Sequence, residues 1–438
     1  MLKSNSPLMI LIIYTSKYRK GSDKFERAAA TMKKEITARY NGEVNCTGII
    51  HKKTLAQFFN EISEERKQID EFHFIGHSGM YGPMFGSVEY PEQFSPYEWR
   101  QLHIPFSAEG KAYFHCCRSA RWFATFFAQT FRVETFGYYW YTTFSSDKKK
   151  FRFVNSSSKE IYAAGCIGRK SHGLGGTLRK YSGFQLLEQM RSFKPQEHTA
   201  DATYNKVAAL YDQVFQDIKV RDDEWKWLTS HLPPDKNITV LDIGCGNGAL
   251  LKELSTRISQ GIGVDLSNDI IDRAKTLNAA SGNLSFHVTN GPFLPVADQS
   301  VDVIISLLSF RYLDWDPIMN ECKRVLKAGG KILIVDMVTV PVKWKEYPLL
   351  LKSKLKQYGQ RIMRRAFYEN LKKLVLHPDW KTMLKYNPIR AEHEVKWYLE
   401  SRFPGSKVQK INVGWNSCIL AFDSGNIENI NEIYLTYP

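Results

Sequence analysis

Two groups of residues in this 438-residue sequence have types and spacing that could do chemistry. The first is ITVLDIGCGNG (238–248), an apolar run that ends at Asp242 and continues into glycines at alternate positions, Gly244, Gly246 and Gly248. Glycines so placed after a parallel strand let the backbone turn tightly and approach a ligand closely. A second acid, Asp265, closes the next apolar run in GIGVDLS, where a carboxylate can accept both hydroxyls of a ribose. The second group lies in the first half of the chain. His77 follows the apolar run of EFHFIGHSG (71–79), and Cys117 follows that of KAYFHCCRSA (111–120). A thiolate beside an imidazole is a nucleophile with its base. GHSGM is not a serine nucleophile elbow, because Met80 stands where that turn requires glycine.

The elements that must position these residues follow from patterning. LMILIIYTS (8–16) reads as a buried parallel strand. After it the pattern predicts a helix over 23–40, a strand over 44–50, a helix over 54–69 and a strand over 72–76. A strand over 111–116, a helix over 120–131 and a strand over 134–142 follow. Strands alternating with helices of this length mean βαβ units on a parallel sheet, which puts His77 and Cys117 at the carboxyl edge where open α/β sheets build sites. The stretch 166–200, with GRKSHGLGG and KPQEHTAD, reads as a linker holding one helix over 184–192. A second series then runs through helices at 204–217 and 223–231 and strands at 238–242, 261–265, 284–288, 301–306 and 331–336. A basic helical stretch over 341–380 and strands near 408–414 and 419–422 close the chain.

Three ordered segments distinguish the second half from other glycine-turn domains: GIGVDLS, HVTNGPFLPVADQSVDVIIS, and ECKRVLKAGGKILIVDM. Together with the glycine loop they resemble the class I S-adenosylmethionine-dependent methyltransferase family, over about residues 204–340. The resemblance implies that Asp242, Gly244 and Gly246 lie against the methionine part of S-adenosylmethionine and that Asp265 holds its ribose. It puts Asn290, an amide in place of the family's usual acid, beside the adenine, and Ser306 where donor meets acceptor. Tyr211, in AALYDQVF, belongs to the helix that covers the cofactor. An NAD-binding Rossmann domain and an inactive methyltransferase are the alternatives. Substrate-side candidates are Arg311, Tyr312, Asp314 and His377, the last as a base or, more plainly, as a helix cap in LHPDW.

The first half resembles the caspase-type cysteine peptidases over about residues 8–165. The resemblance makes Cys117 the nucleophile and His77 the base, with amides near Gly79 serving the oxyanion. Ser78 stands between the His and its glycine, and Cys116 stands where the family has a small residue. A structural domain with a buried His and Cys and a flavodoxin-like phosphate site are the other readings. The expected fold class is therefore α/β with two domains: a caspase-like parallel-sheet domain (1–165) and, after the linker, a Rossmann-like class I methyltransferase (201–438) with a basic lid.

Composition bounds the function. With 43% apolar and 24% charged residues the chain is ordinary globular material. The net charge of +15 favours anionic partners, but no signature of base or ribose methylation accompanies it, so nucleic acid is not the expected substrate. A small-molecule or peptide acceptor, with an anionic one suited to the charge, is. Seven cysteines without metal-ligand spacing fit a reducing cytoplasm with no metal site. The apolar run at 8–14 is too short to span a membrane. The pattern leaves oligomeric state open, a dimer included. Two whole-chain readings follow: two enzymes on one pathway, or a methyltransferase carrying a non-catalytic binding or dimerisation module.

Overall fold

The computed structural model describes residues 7–19, 21–167, 173–183, 186–195, 205–386 and 389–435. It divides into two compact units, Met1–Thr199 and Ala200–Pro438.

The first unit is built on β1 (Leu8–Thr15), α1 (Ser22–Thr37), β2 (Glu43–Ile49), α2 (Lys52–Glu64), β3 (Gln68–Ile75), α3 (Pro96–Gln101), β4 (Phe106–His115), α4 (Phe123–Phe131) and β5 (Glu134–Gly137). A small antiparallel pair, β6 (Tyr141–Ser145) and β7 (Tyr162–Cys166), follows, then α5 (Gly173–Ser182) and β8 (Arg191–Phe193). The six-stranded sheet runs β8-β5-β4-β3-β1-β2, parallel except for β8. Helices cover both faces, so β1 is apolar on both: Met9 to Ile13 are all buried. One face packs Phe72, Phe74 and Phe114 against Phe59, Trp99 and Phe127; the other packs Ile10, Ile12 and Ile75 against Phe25, Ala28 and Ala29 of α1.

Two expectations are corrected here. The strand read over 134–142 is two strands in two sheets, β5 and β6. The stretch 166–200 is not a linker throughout. Its later part folds back as β8 on the edge of β5, and Glu188 accepts hydrogen bonds from the backbone N–H groups of Tyr139 (2.8 Å) and Trp140 (3.0 Å). Where a helix was expected over 184–192, residues 191–193 are strand; 184 and 185 lie outside the described residues.

The second unit contains α6 (Ala208–Phe215), α7 (Asp222–His231), β9 (Thr239–Ile243), α8 (Ala249–Leu254), β10 (Gln260–Asp265), α9 (Asn268–Leu277), β11 (Leu284–Val288), β12 (Val301–Leu307), α10 (Trp315–Val325) and β13 (Leu326–Thr339). Helices α11 (Tyr347–Met363), α12 (Arg365–Leu376), α13 (Pro378–Tyr386) and α14 (Glu392–Arg402) precede β14 (Gln409–Val413) and β15 (Ser417–Asp423). The seven-stranded sheet runs β11-β10-β9-β12-β13-β15-β14. Its first five strands are parallel, and β15 is antiparallel to both neighbours. The order reverses between β9 and β12, so a crevice opens at their carboxyl ends, where doubly wound sheets bind ligands. A dinucleotide-binding sheet of this type adds a sixth parallel strand; here the antiparallel β15 takes that place. Among the described residues no helix is long and apolar enough to cross a membrane.

Candidate active site

Each edge of the crevice is set by backbone geometry. Gly244 and Gly246 have φ of +76° and +54°, a region that L side chains rarely occupy. A Cβ on Gly244 would stand 2.3 Å from Cβ of Ser309, and one on Gly246 would stand 3.2 Å from the Tyr211 ring. The loop therefore passes directly beneath both residues. Its N–H groups are aimed by Asp265 at the end of β10: Gly246 N–H donates to Asp265 Oδ2 (3.1 Å), and Ser267 N–H donates to Oδ1 (3.0 Å). Ser267 in turn caps α9 by accepting from Ile270 N–H.

The result is a cavity of about 150 Å³ lined by Tyr211, Gly244, Gly246, Asp265, Ser309 and Tyr312, with apolar walls from Ile243, Leu266, Leu294, Leu307 and Leu308. Leu308 itself has φ of +59°, an uncommon conformation for a branched residue and the kind of strain that accompanies a ligand loop. Asp242 lies behind the loop, 2% exposed. Its Oδ1 finds no hydrogen-bond partner among the described residues. Burial, then the charge of Asp265, pushes its carboxyl up to about 7; burial raises Asp265 as well. A crevice with two buried acids, a left-handed glycine loop and an apolar wall suits a cationic adenosyl ligand.

Of the residues expected at the site, Tyr211, Gly244, Gly246 and Asp265 meet in this cavity, with Asp242 beneath it. Ser306 is buried one layer back: its Oγ lies 2.8 Å from Ser309 Oγ, which donates to the carbonyl of Ile243 (2.6 Å). Ser309 is thus the wall residue and Ser306 its support. Asn290 is exposed, while its neighbours Thr289 and Gly291 line the cavity. Tyr312 and Asp314 are lining residues, but Arg311 is corrected: it is buried in an ion pair with Asp336. His377 sits at the α12–α13 junction, where its Nδ1 accepts from Asp379 N–H (3.3 Å). It belongs to the lining of neither this cavity nor the larger one below, and its geometry is that of a cap. Sequence reading missed Ser309 and Leu308, which belong to no strand or helix pattern, and Arg221, which stacks over Phe215 at 4.7 Å.

A larger cavity of about 460 Å³ in the same unit is lined by Phe215, Arg221, Phe367, Tyr368, Leu371 and Trp415, with Asp222, Asp223, Lys354 and Lys356 on its polar side. Arg221 connects the two cavities electrostatically, its charge acting on the Tyr211 hydroxyl.

A family model described as a methyltransferase domain matches residues 241–334, which run from within β9 into β13. The second unit is a class I S-adenosylmethionine-dependent methyltransferase domain. Two relatives are called demethylmenaquinone methyltransferase. One, from Lactococcus lactis subsp. lactis (strain IL1403), is 26% identical over 177 residues, 38% of this chain and 70% of that protein. The other, from Tropheryma whipplei (strain Twist), is 27% identical over 145 residues, 32% of this chain. The chain spans only 60% of that second relative's length. Among solved structures, a SAM dependent methyltransferase from Aquifex aeolicus is 18% identical, with a TM-score of 0.33 over 51% of this chain and 99% of that one. The fold assignment rests on the strand order and not on that likeness. The cofactor of the methyltransferase domain is S-adenosylmethionine.

The raised carboxyl of Asp242 has a pH consequence. In the unfolded chain this group ionises near 4, and in the folded domain about 7. Between those values the folded form holds the extra proton, so folding stability without ligand falls as pH rises toward 7. A cationic ligand prefers the ionised form, so its affinity runs the other way. Calorimetric titration is expected to show S-adenosylmethionine affinity dropping up to about tenfold per pH unit below 7, with the uncharged thioether product much flatter. Asp242→Asn should remove the difference between the two ligands.

In the first unit, β3 and β4 are paired with Ile75 opposite His115, and His77 and Cys117 each lie two residues beyond that pair. Thr142 N–H donates to Cys117 Sγ (3.3 Å), and Thr142 Oγ1 lies 3.2 Å from the same sulfur. Ser78 Oγ donates to the Cys117 carbonyl. The His77 ring meets Tyr18 and Phe25 edge-on, at 5.6 and 5.1 Å between centroids. Cys116 points into the core, its thiol raised by burial. A polar array was also missed: Glu71 Oε2 lies 3.0 Å from His73 Nε2, and His73 Nδ1 lies 3.2 Å from His115 Nε2. Burial, then His73, pushes His115 down to about 3. The alternation of Glu71 and His73 with the apolar Phe72, Phe74 and Ile75 was the signal.

Proposed function

We propose that this protein transfers a methyl group from S-adenosylmethionine to a small organic acceptor held in the larger cavity of the second unit. The observation that carries the reading is the crevice at the β9–β12 reversal, with Asp265 and the glycine loop facing an apolar wall. When bound, the cofactor supplies an activated methyl on sulfur, so the protein's part is alignment and exclusion of water. Tyr211, Ser309 and Tyr312 close the cofactor side. Phe215, Phe367, Tyr368 and Trp415 offer a ring-shaped acceptor apolar surface, with Arg221 over the Phe215 ring on the same wall. At about 460 Å³ the larger space is in the usual range for small-molecule sites. The names of the two relatives make a demethylated quinone ring the first acceptor class to try. Incubating the protein with S-adenosylmethionine and a demethylated naphthoquinone, a simple phenol or a peptide, and following thioether release and acceptor mass, tests this. No acceptor-dependent release from any class would overturn it.

For the first unit we infer a cysteine peptidase or related acyl-transfer activity, with Cys117 as nucleophile and His77 as base. The support is their equal offset beyond the Ile75–His115 pair on adjacent parallel strands. The competing reading, a non-catalytic binding or dimerisation module, predicts a different result from Cys117→Ala. If the unit is an enzyme, labelling by a thiol-directed acyl probe disappears in Cys117→Ala and the methyl-transfer rate does not change. Equal labelling of both proteins would leave only the module.

A further inference from the structure

Helix α11 is turned inside out. Its inward side is anchored by the buried Leu350 and is otherwise polar: Ser353, Lys356, Gln357 and Gln360 line the larger cavity. Its solvent side is apolar: Leu351, Leu355, Tyr358 and Ile362 are between 63% and 68% exposed. At roughly 100° per residue these four fall within about 60° of one another, a stripe of the kind that a globular protein buries. Trp344 (88% exposed) stands just before the helix, its ring 5.4 Å from that of Tyr347, which in turn meets the exposed Trp415 at 6.2 Å. Cations flank the stripe, with Lys352 on one side and Lys354 and Arg361 on the other. From Lys343 to Lys373 the sequence has ten Lys or Arg against two Glu. Lys345, Lys352, Lys372 and Lys373 make no ion pair among the described residues.

We propose that α11 is a membrane-docking helix that lies in the surface of an anionic lipid bilayer, with its leucine–isoleucine stripe at the acyl boundary, its lysines at the headgroups and the Trp344–Tyr347–Trp415 cluster at the interface. An apolar stripe bordered by lysine and arginine is the pattern of interfacial helices, and tryptophan and tyrosine favour that depth. Each cation near an anionic surface strengthens binding by about fivefold. The same charge argues against a second copy of the chain as the occupant, because a two-fold contact would bring both sets of cations together. The inference goes beyond the methyl-transfer reading and does not need it.

The test is cosedimentation of the full chain with vesicles of phosphatidylcholine alone and of phosphatidylcholine with phosphatidylglycerol in equal parts. Binding is expected only to the second, at least about tenfold over the first, and weakened by salt. Leu355→Glu with Ile362→Glu should abolish it, since both side chains are in solvent and their loss costs the fold nothing. Lys345→Glu with Lys352→Glu should reduce it by about tenfold or more. S-adenosylmethionine affinity in solution should be the same in all three proteins, which separates docking from the methyl-transfer site. Equal binding to both vesicles, or anionic-vesicle binding that survives Leu355→Glu/Ile362→Glu, would overturn the proposal. So would vesicle-free self-association that this double variant abolishes.

Discussion

Asp265→Ala is expected to weaken S-adenosylmethionine binding by about 30- to 1,000-fold, while the domain stays folded. The carboxylate ends β10 with both oxygens already fixed, one by Gly246 N–H and one by Ser267 N–H. It therefore reaches the cavity in one orientation and presents its remaining lone pairs to a ribose without further ordering. Hydrogen bonds to a charged group contribute about 1.5–3 kcal/mol each. Two of them, less what water returns to the empty site, come to roughly 2–4 kcal/mol, which is the expected fold-change. The loss of the two backbone anchors is milder, because both N–H groups border the cavity and can be hydrated; roughly 1–2 kcal/mol of stability is the expected cost. Asp265→Asn should fall between, since its amide nitrogen would have to face one of those two donors. Isothermal titration against S-adenosylmethionine, with NAD as the comparison ligand, measures all three proteins. Affinity for S-adenosylmethionine that is unmoved by alanine, or NAD bound in its place, would remove Asp265 from the role given to it here.

What was legible beforehand divides along a physical line. The placement of Asp242, Gly244, Gly246 and Asp265 at the crevice could be read because it is coupled to local backbone geometry: a strand end, a left-handed turn, a second strand end. The βαβ order could be read for the same reason, since period-two and period-3.6 patterns are local. Features that depend on distant pairing could not. Arg191–Phe193 is a strand only because the edge of β5 is unpaired without it. Ser306 and Ser309 differ by three residues, and only the course of the loop decides which of them reaches the cavity wall. Helix α11 is the clearest case. The stretch could be read as basic and helical, but a helical pattern gives the period of a stripe and not its direction, and here the apolar stripe faces solvent. Arg311 misled in the opposite way: a cation beside a predicted site reads as a ligand group until its partner, 25 residues on, is known.

That partner is the second large effect. Asp336→Ala is expected to destabilise the second unit by about 3–5 kcal/mol. Asp336 is 0% exposed on β13. Its Oδ2 accepts from Arg311 N–H (2.6 Å), and its Oδ1 accepts from the Arg311 guanidinium and from Met337 N–H (2.7 Å). Burial raises its carboxyl, and Arg311 pulls it back. Truncation takes the anion away from a buried guanidinium and from two backbone N–H groups, that of Arg311 buried and that of Met337 half-buried, the case in which breaking a pair costs most. For a unit of this size the melting temperature should drop by roughly 6–20 °C. Replacing both partners with apolar residues, Arg311→Met with Asp336→Leu, should recover much of the loss, because the penalty comes from the stranded charge and not from the missing attraction. The pair also ties the segment Leu308–Asp314 to the sheet, and four residues of that segment besides Leu308 line the cofactor cavity: Ser309, Tyr312, Leu313 and Asp314. Both the single and the double variant should therefore bind S-adenosylmethionine more weakly than the parent, since neither keeps the backbone bond from Arg311 to Asp336. A double variant that regained stability and affinity together would mean that shape alone, and not this carboxylate, holds the loop over the crevice.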